Sequence, residues 1–198
     1  VIEGNSAQSG GGGVFTEIGR LTLERSVVQN NSSGGDDKGA GGGGGILNGV
    51  EDPSEDEPLP QTEIRNSTIR GNSSGGFGGG VFNRSGFLTI EHSTISENTA
   101  GLGGDGVGSF GNPTGPAPTD PPAEEPEPHP APVVFTEIGH SIIFGNGGDE
   151  GSDVERCGQT DDGRELNPSV TSLGYNIIGT RNTTVTAAPP PPPETIPP

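Results

Sequence analysis

Gly78-Gly79-Gly80-Val81-Phe82, then Phe87-Leu88-Thr89-Ile90, then Ser93-Thr94-Ile95-Ser96-Glu97-Asn98 makes up one complete unit of a repeat. Apolar residues alternate within each piece, as they do on one face of a half-buried strand. Leu88 and Ile90 share a face, as do Ser93 and Ile95, but the odd step from Ile90 to Ser93 breaks the period of two. A corner must lie there. A second phase break falls between Ile95 and Asn98. The Gly run supplies a third bend, because glycine tolerates the positive φ of a tight corner. Three short strands and three corners make a triangular coil.

The same frame fits Leu21, Leu23, Ser26, Val28 and Asn31, and again Ile64, Ser67, Ile69 and Asn72. Its closing motif, Ile/Val-x-x-Asn, recurs at Ile2 to Asn5, Val28 to Asn31, Ile69 to Asn72, Ile95 to Asn98 and Ile143 to Asn146, with the asparagines 26, 41, 26 and 48 residues apart. A base period of 26 with Gly-rich corners marks a solenoid, in which each coil buries its inner face only against its neighbours. The longer intervals hold the acidic stretch from Glu51 to Pro58 and the stretch from Pro113 to Pro132 with Glu124, Glu125, Glu127 and His129. Proline cannot donate to a strand ladder and clustered like charges repel, so both are read as loops leaving one side of the solenoid. The expected fold is all-β, a right-handed parallel β-helix of about five coils with protruding acidic and Pro-rich loops. Leu21, Leu23, Val28, Ile64, Ile69, Leu88, Ile90, Ile95, Ile138 and Ile143 should point inward. Successive corner asparagines should stack about 4.8 Å apart as a ladder of amides. The hexapeptide Val-Phe-Thr-Glu-Ile-Gly occurs at Val14 to Gly19 and at Val134 to Gly139, and the frame assigns the two copies to different parts of the coil.

These coils occupy residues 1–146, with insertions at about 49–61 and 111–132. Past Asn146 the pattern changes, and 147–186 is read as a terminal cap covering the unpaired strand edges. Pro189 to Pro193, with Pro197 and Pro198, make 187–198 an extended Pro-rich linker. Val1 to Ala7 matches Thr94 to Ala100 position for position, so the chain is expected to begin inside a repeat that continues upstream.

Only 25% of the residues are hydrophobic, which suits a thin core shared between coils better than a globular one. The formal net charge of −18, from 27 acidic and 9 basic residues, repels a phosphate backbone and an anionic lipid surface alike. Nucleic acid is therefore excluded as a partner. The chain has no 18-residue apolar run, so direct membrane insertion by this segment is not expected. Cys157 is the only cysteine, which rules out an intrachain disulfide.

Gly79-Gly80-Val81, Gly44-Gly45-Ile46 and the Ile-x-x-Asn copies resemble the marks of the polymorphic outer membrane protein repeat, a group of parallel β-helix proteins of bacterial surfaces. Ser141-Ile142-Ile143-Phe144-Gly145-Asn146, followed by Asp153, Cys157 and Ser172-Leu173-Gly174-Tyr175-Asn176-Ile177-Ile178-Gly179, is similar to the choice-of-anchor Q domain. The resemblance implies a secreted protein, or one at the bacterial cell surface or outer membrane, with an anchor beyond the Pro-rich spacer.

Parallel β-helices also include pectate lyases and other polysaccharide-cleaving enzymes, whose chemistry needs clustered carboxylates beside a Lys or Arg. Here Arg25, Lys38, Arg65, Arg70 and Arg84 are scattered, and coil carboxylates such as Glu24, Glu63 and Glu91 take outward strand positions. No catalytic residues are assigned and the chain is read as a non-enzyme, with a pectate-lyase-like lyase or hydrolase segment as the alternative. His92 and His140 occupy equivalent places before Ser93 and Ser141, as expected of surface positions rather than metal ligands. Calcium is the one candidate ligand. Asp149, Glu150 and Asp153 in a Gly-rich turn, or Asp105 in Gly103-Gly104-Asp105-Gly106, offer the hard oxygens it prefers, and no other cofactor is expected. The sequons beginning at Asn31 and Asn72 are by-products of the corner pattern. The expected function is a structural stalk or adhesin-like presentation module whose partner is a carbohydrate or another surface protein.

Overall fold

The computed structural model describes residues 1–35, 41–50, 58–110, 112–113, 134–147, 153–157, 166–167 and 170–179. Every regular element among them is a strand. Sheet 1 stacks Ile2–Glu3, Val27–Gln29, Thr68–Arg70, Thr94–Ser96, Ile142–Ile143 and Ile177–Ile178. Sheet 2 holds the short Ser6–Ala7, Ser32–Ser33, Ser73–Ser74 and Thr99–Ala100. Sheet 3 holds Val14–Thr16, Ile46–Asn48, Val81–Asn83, Val107–Phe110 and Val154–Cys157. Sheet 4 holds Arg20–Glu24, Gln61–Arg65, Gly86–Glu91, Val134–Gly139 and Val170–Ser172. All pairing within these sheets is parallel and joins each strand to its counterpart one coil away, as with Leu23 to Ile64, Ile64 to Ile90 and Ile90 to Ile138. This is a parallel β-helix.

Its core is one narrow column of aliphatic side chains. Nine of the ten residues expected to point inward are buried in it, and Leu21, in the first coil, is half-buried against it. Ile46, Val81 and Val107 complete the column from sheet 3. Sheet 3 is apolar on its outer face too, where Leu47 and Phe82 are buried beside Phe77 and Phe110.

The coil differs from the triangular expectation in two ways. A fourth, two-residue strand comes after each of the first four corner asparagines and forms sheet 2. The left-handed position shared by the corners after sheet 4 is never a glycine: Arg25, Asn66, His92, His140 and Tyr175 hold φ between 49° and 53° there. Left-handed backbone costs an L-residue about 1–2 kcal/mol, so neighbouring bonds must hold the corner in place. The serines do that. Ser67, Ser93 and Ser141 each bond back two residues, to the carbonyls of Arg65, Glu91 and Gly139 at 2.7–2.8 Å. Each also receives the backbone N–H of the preceding coil's serine, Ser26, Ser67 and Ser93 respectively, at 3.1–3.2 Å.

Both insertions join the end of a sheet 3 strand to the start of a sheet 4 strand. The first is narrower than 49–61. Gly49 donates to Thr16 O at 2.8 Å, Pro60 is buried with its carbonyl bonded to Phe87 N at 2.9 Å, and Gln61 already belongs to a strand. In the second, Asn112–Pro113 pairs antiparallel with Leu166–Asn167. The stretch expected as a cap adds strands to sheets 1, 3 and 4, extending the same stack. Residues 187–198 lie outside the described residues.

Candidate functional site

The most highly organised polar feature is the corner that ends sheet 1. Asn5, Asn31, Asn72, Asn98 and Asn146 stack there, and each donates from its side-chain amide to Oδ1 of the next at 2.9–3.0 Å. Each also donates its backbone N–H to the same oxygen at 3.0 Å. The second amide hydrogen of the rungs from Asn31 to Asn146 reaches a carbonyl of the preceding coil, Ile2, Val28, Ile69 or Ile95 in turn, at 3.0–3.1 Å. Buried amides are tolerable only when paired, and this arrangement pairs them coil by coil.

The ladder also explains a column of glycines. A Cβ on Gly13, Gly45, Gly80 or Gly106 would lie 2.8–3.1 Å from the amide of Asn31, Asn72, Asn98 or Asn146 respectively. Asp153 stands in register with Gly106. It carries the side chain its column otherwise forbids, and its Oδ1 accepts the backbone N–H of Asn146 at 2.9 Å and the amide of Asn146 at 2.6 Å. Asp153 is thus the last acceptor of the ladder among the described residues, buried and bonded to Asn146.

Of the calcium candidates, Asp105 is likewise engaged, accepting Ala100 N at 2.6 Å. Asp149 and Glu150 lie outside the described residues. Among the described residues no three His, Cys, Asp or Glu side chains come together where they could hold a metal ion. His92 and His140 are stacked face to face with ring centroids 4.8 Å apart, and Tyr175 continues the column at 5.3 Å. The sequon asparagines Asn31 and Asn72 are buried rungs, while Asn66 is exposed at its corner.

A second buried network was not expected from the sequence. Thr16, Asn48, Asn83 and Ser109 stand in register at the end of sheet 3. Asn48 donates to Asn83 Oδ1 at 2.8 Å, Thr62 to Asn48 Oδ1 at 2.7 Å, and Asn83 to Thr136 Oγ1 at 2.9 Å. The signal was the Asn48 and Asn83 pair, hidden because unequal insertions come after the different copies.

Arg65, expected to be scattered, comes together with Arg20, Glu63 and Glu91 on the outer face of sheet 4, because the stacking of coils aligns strand positions far apart in sequence; Arg65 pairs with Glu63 and Glu91, and Arg20 with Glu63. Phe87 and Phe135 stack on the same face at 5.6 Å. No family model matches the chain, and neither a curated protein nor a solved structure shows significant similarity to it. The class defined by fold and geometry is a parallel β-helix with an internal amide ladder.

Proposed function

We propose that the chain is a non-catalytic presentation module, a β-helix stalk of a secreted or surface-displayed protein that meets a carbohydrate or another surface protein. The observation that carries this reading is the use made of the polar side chains. Asn31, Asn72, Asn98, Asn146 and Asp153 are bonded to one another inside the stack, and Arg65 is committed to Glu63 and Glu91 on its surface. Acid/base catalysis needs a carboxylate facing substrate with a group beside it that tunes its proton affinity. Residues consumed by a ladder hold a rod together. Incubation with acidic and neutral polysaccharides, with and without calcium, should release no product. Calcium-dependent release of unsaturated sugar, abolished by replacing a single Asp, would replace this reading with the lyase alternative.

A further inference from the structure

Sheet 1 changes character along its length. Its outward column runs Val27, Thr68, Thr94, Ile142, Ile177, in register from coil to coil. The two isoleucines are 45% and 61% exposed. Phe144 comes directly after Ile143, which is paired with Ile95, so it takes the place that Ser96 holds one coil earlier, and it is 62% exposed. A Cβ on Gly179 would lie 2.6 Å from the Phe144 ring, so the next coil has a glycine where that ring lies against it. Tyr175, 89% exposed, closes the ring column on His140 at the adjoining corner. In a chain with so little apolar content, a contiguous patch of Ile142, Phe144, Tyr175 and Ile177 calls for a partner.

The surrounding charge says which kind. Glu97 adjoins the strip, its N–H bonded to Gly145 O at 3.2 Å, and Glu137 faces outward from sheet 4, across the corner that His140 makes between the two sheets. Both are exposed, and neither has an ion-pair partner among the described residues. The net charge of −18 steers cations towards the molecule and repels anionic glycans, lipids and nucleic acids. The Tyr175 ring is open to a cation approaching its face. We propose that this face docks a cationic, amphipathic protein segment, whose apolar side chains cover Ile142, Phe144 and Ile177 while its Lys or Arg residues meet Glu97, Glu137 and Tyr175. The proposal rests on the presentation-module reading and names the partner's chemistry.

Fluorescence anisotropy with the whole chain and two labelled peptides, one alternating Lys with Leu and one alternating Lys with Ser, tests it at about 0.15 M salt. The Lys-Leu peptide should bind about tenfold tighter than the Lys-Ser peptide. The pair Ile142→Thr and Phe144→Ser installs the residues of Thr94 and Ser96 at the same register, so the fold should persist by circular dichroism while that advantage disappears. Glu97→Gln with Glu137→Gln should weaken Lys-Leu binding several-fold, and it reads the same surface should the first pair fail to fold. Equal affinity for the two peptides, no binding of either, or an advantage untouched by Ile142→Thr and Phe144→Ser would overturn the proposal. So would a wild-type dimer in sedimentation equilibrium that the same pair converts to monomer, since a second copy would then be the occupant. None of these outcomes affects the polysaccharide assay, so the two ideas fail separately.

Discussion

Asp153 does at the end of the ladder what Asn146 does one coil earlier: each presents Oδ1 to the backbone N–H and the side-chain amide of the rung before it. The ladder itself asks only for an acceptor at that position. Asp153→Ala would leave both donors of Asn146 without a partner inside the stack, at about 1–3 kcal/mol for each buried group. Thermal melts should show a drop of several degrees, whereas Asp153→Asn keeps an oxygen in place and should remain within about 1 kcal/mol of wild type. Adding calcium should move the melting temperature of neither protein. A calcium-dependent rise in wild type that vanishes in Asp153→Asn would make the residue a metal ligand instead. The five asparagines were legible as a ladder because their motif repeats. Asp153 was legible only as a carboxylate among glycines, since its role depends on which column it occupies.

At the level of elements, the corner between sheets 3 and 4 carries both insertions, and the network of Asn48, Asn83, Thr62 and Thr136 fixes their stems. Arg84 and Ser85 alone make the same connection between Val81–Asn83 and Gly86–Glu91. The first insertion is pinned at one end by Val50 N bonding Ser85 Oγ at 3.1 Å, and at the other by Pro60 against Phe87. Excising residues 51–57 should therefore leave the β circular dichroism and the melting temperature nearly unchanged, because loop length changes closure entropy by only about 0.6 kcal/mol per doubling. Asn83→Leu, which removes an internal partner from Asn48 and Thr136, should cost about 2–4 kcal/mol. A collapse of the β signal on excision would show that the insertion builds the corner rather than leaving it. Strand positions were readable here from alternation. Insertion boundaries were not, because proline and charge mark where a chain is unlike a strand and say nothing about where its last tertiary bond lies.

Across the whole molecule, a net charge of −18 on a thin stack means that carboxylates of successive coils repel one another along the rod. Raising sodium chloride from about 0.01 M to 0.5 M shortens the screening length from roughly 30 Å to a few ångströms and should raise the melting temperature by a few degrees. A fall would mean that ion pairs such as Arg65 with Glu63 and Glu91 outweigh the repulsion. Sequence alone determined the period, the inward aliphatic column and the amide ladder. An inner face that excludes water accepts only apolar side chains or amides with partners, and both requirements return with every coil. Tertiary structure decided the fate of the repeated hexapeptide. At Val134–Gly139 all six residues form one sheet 4 strand and Ile138 is fully buried, while from Val14 the strand ends at Thr16 in sheet 3, the chain turns at Gly19 with φ 85°, and Ile18 is 51% exposed. Six identical residues carry identical local preferences. Their structures differ because one copy lies in register with Gly86–Glu91 and the other with Ile46–Asn48, and that pairing belongs to the neighbouring coil.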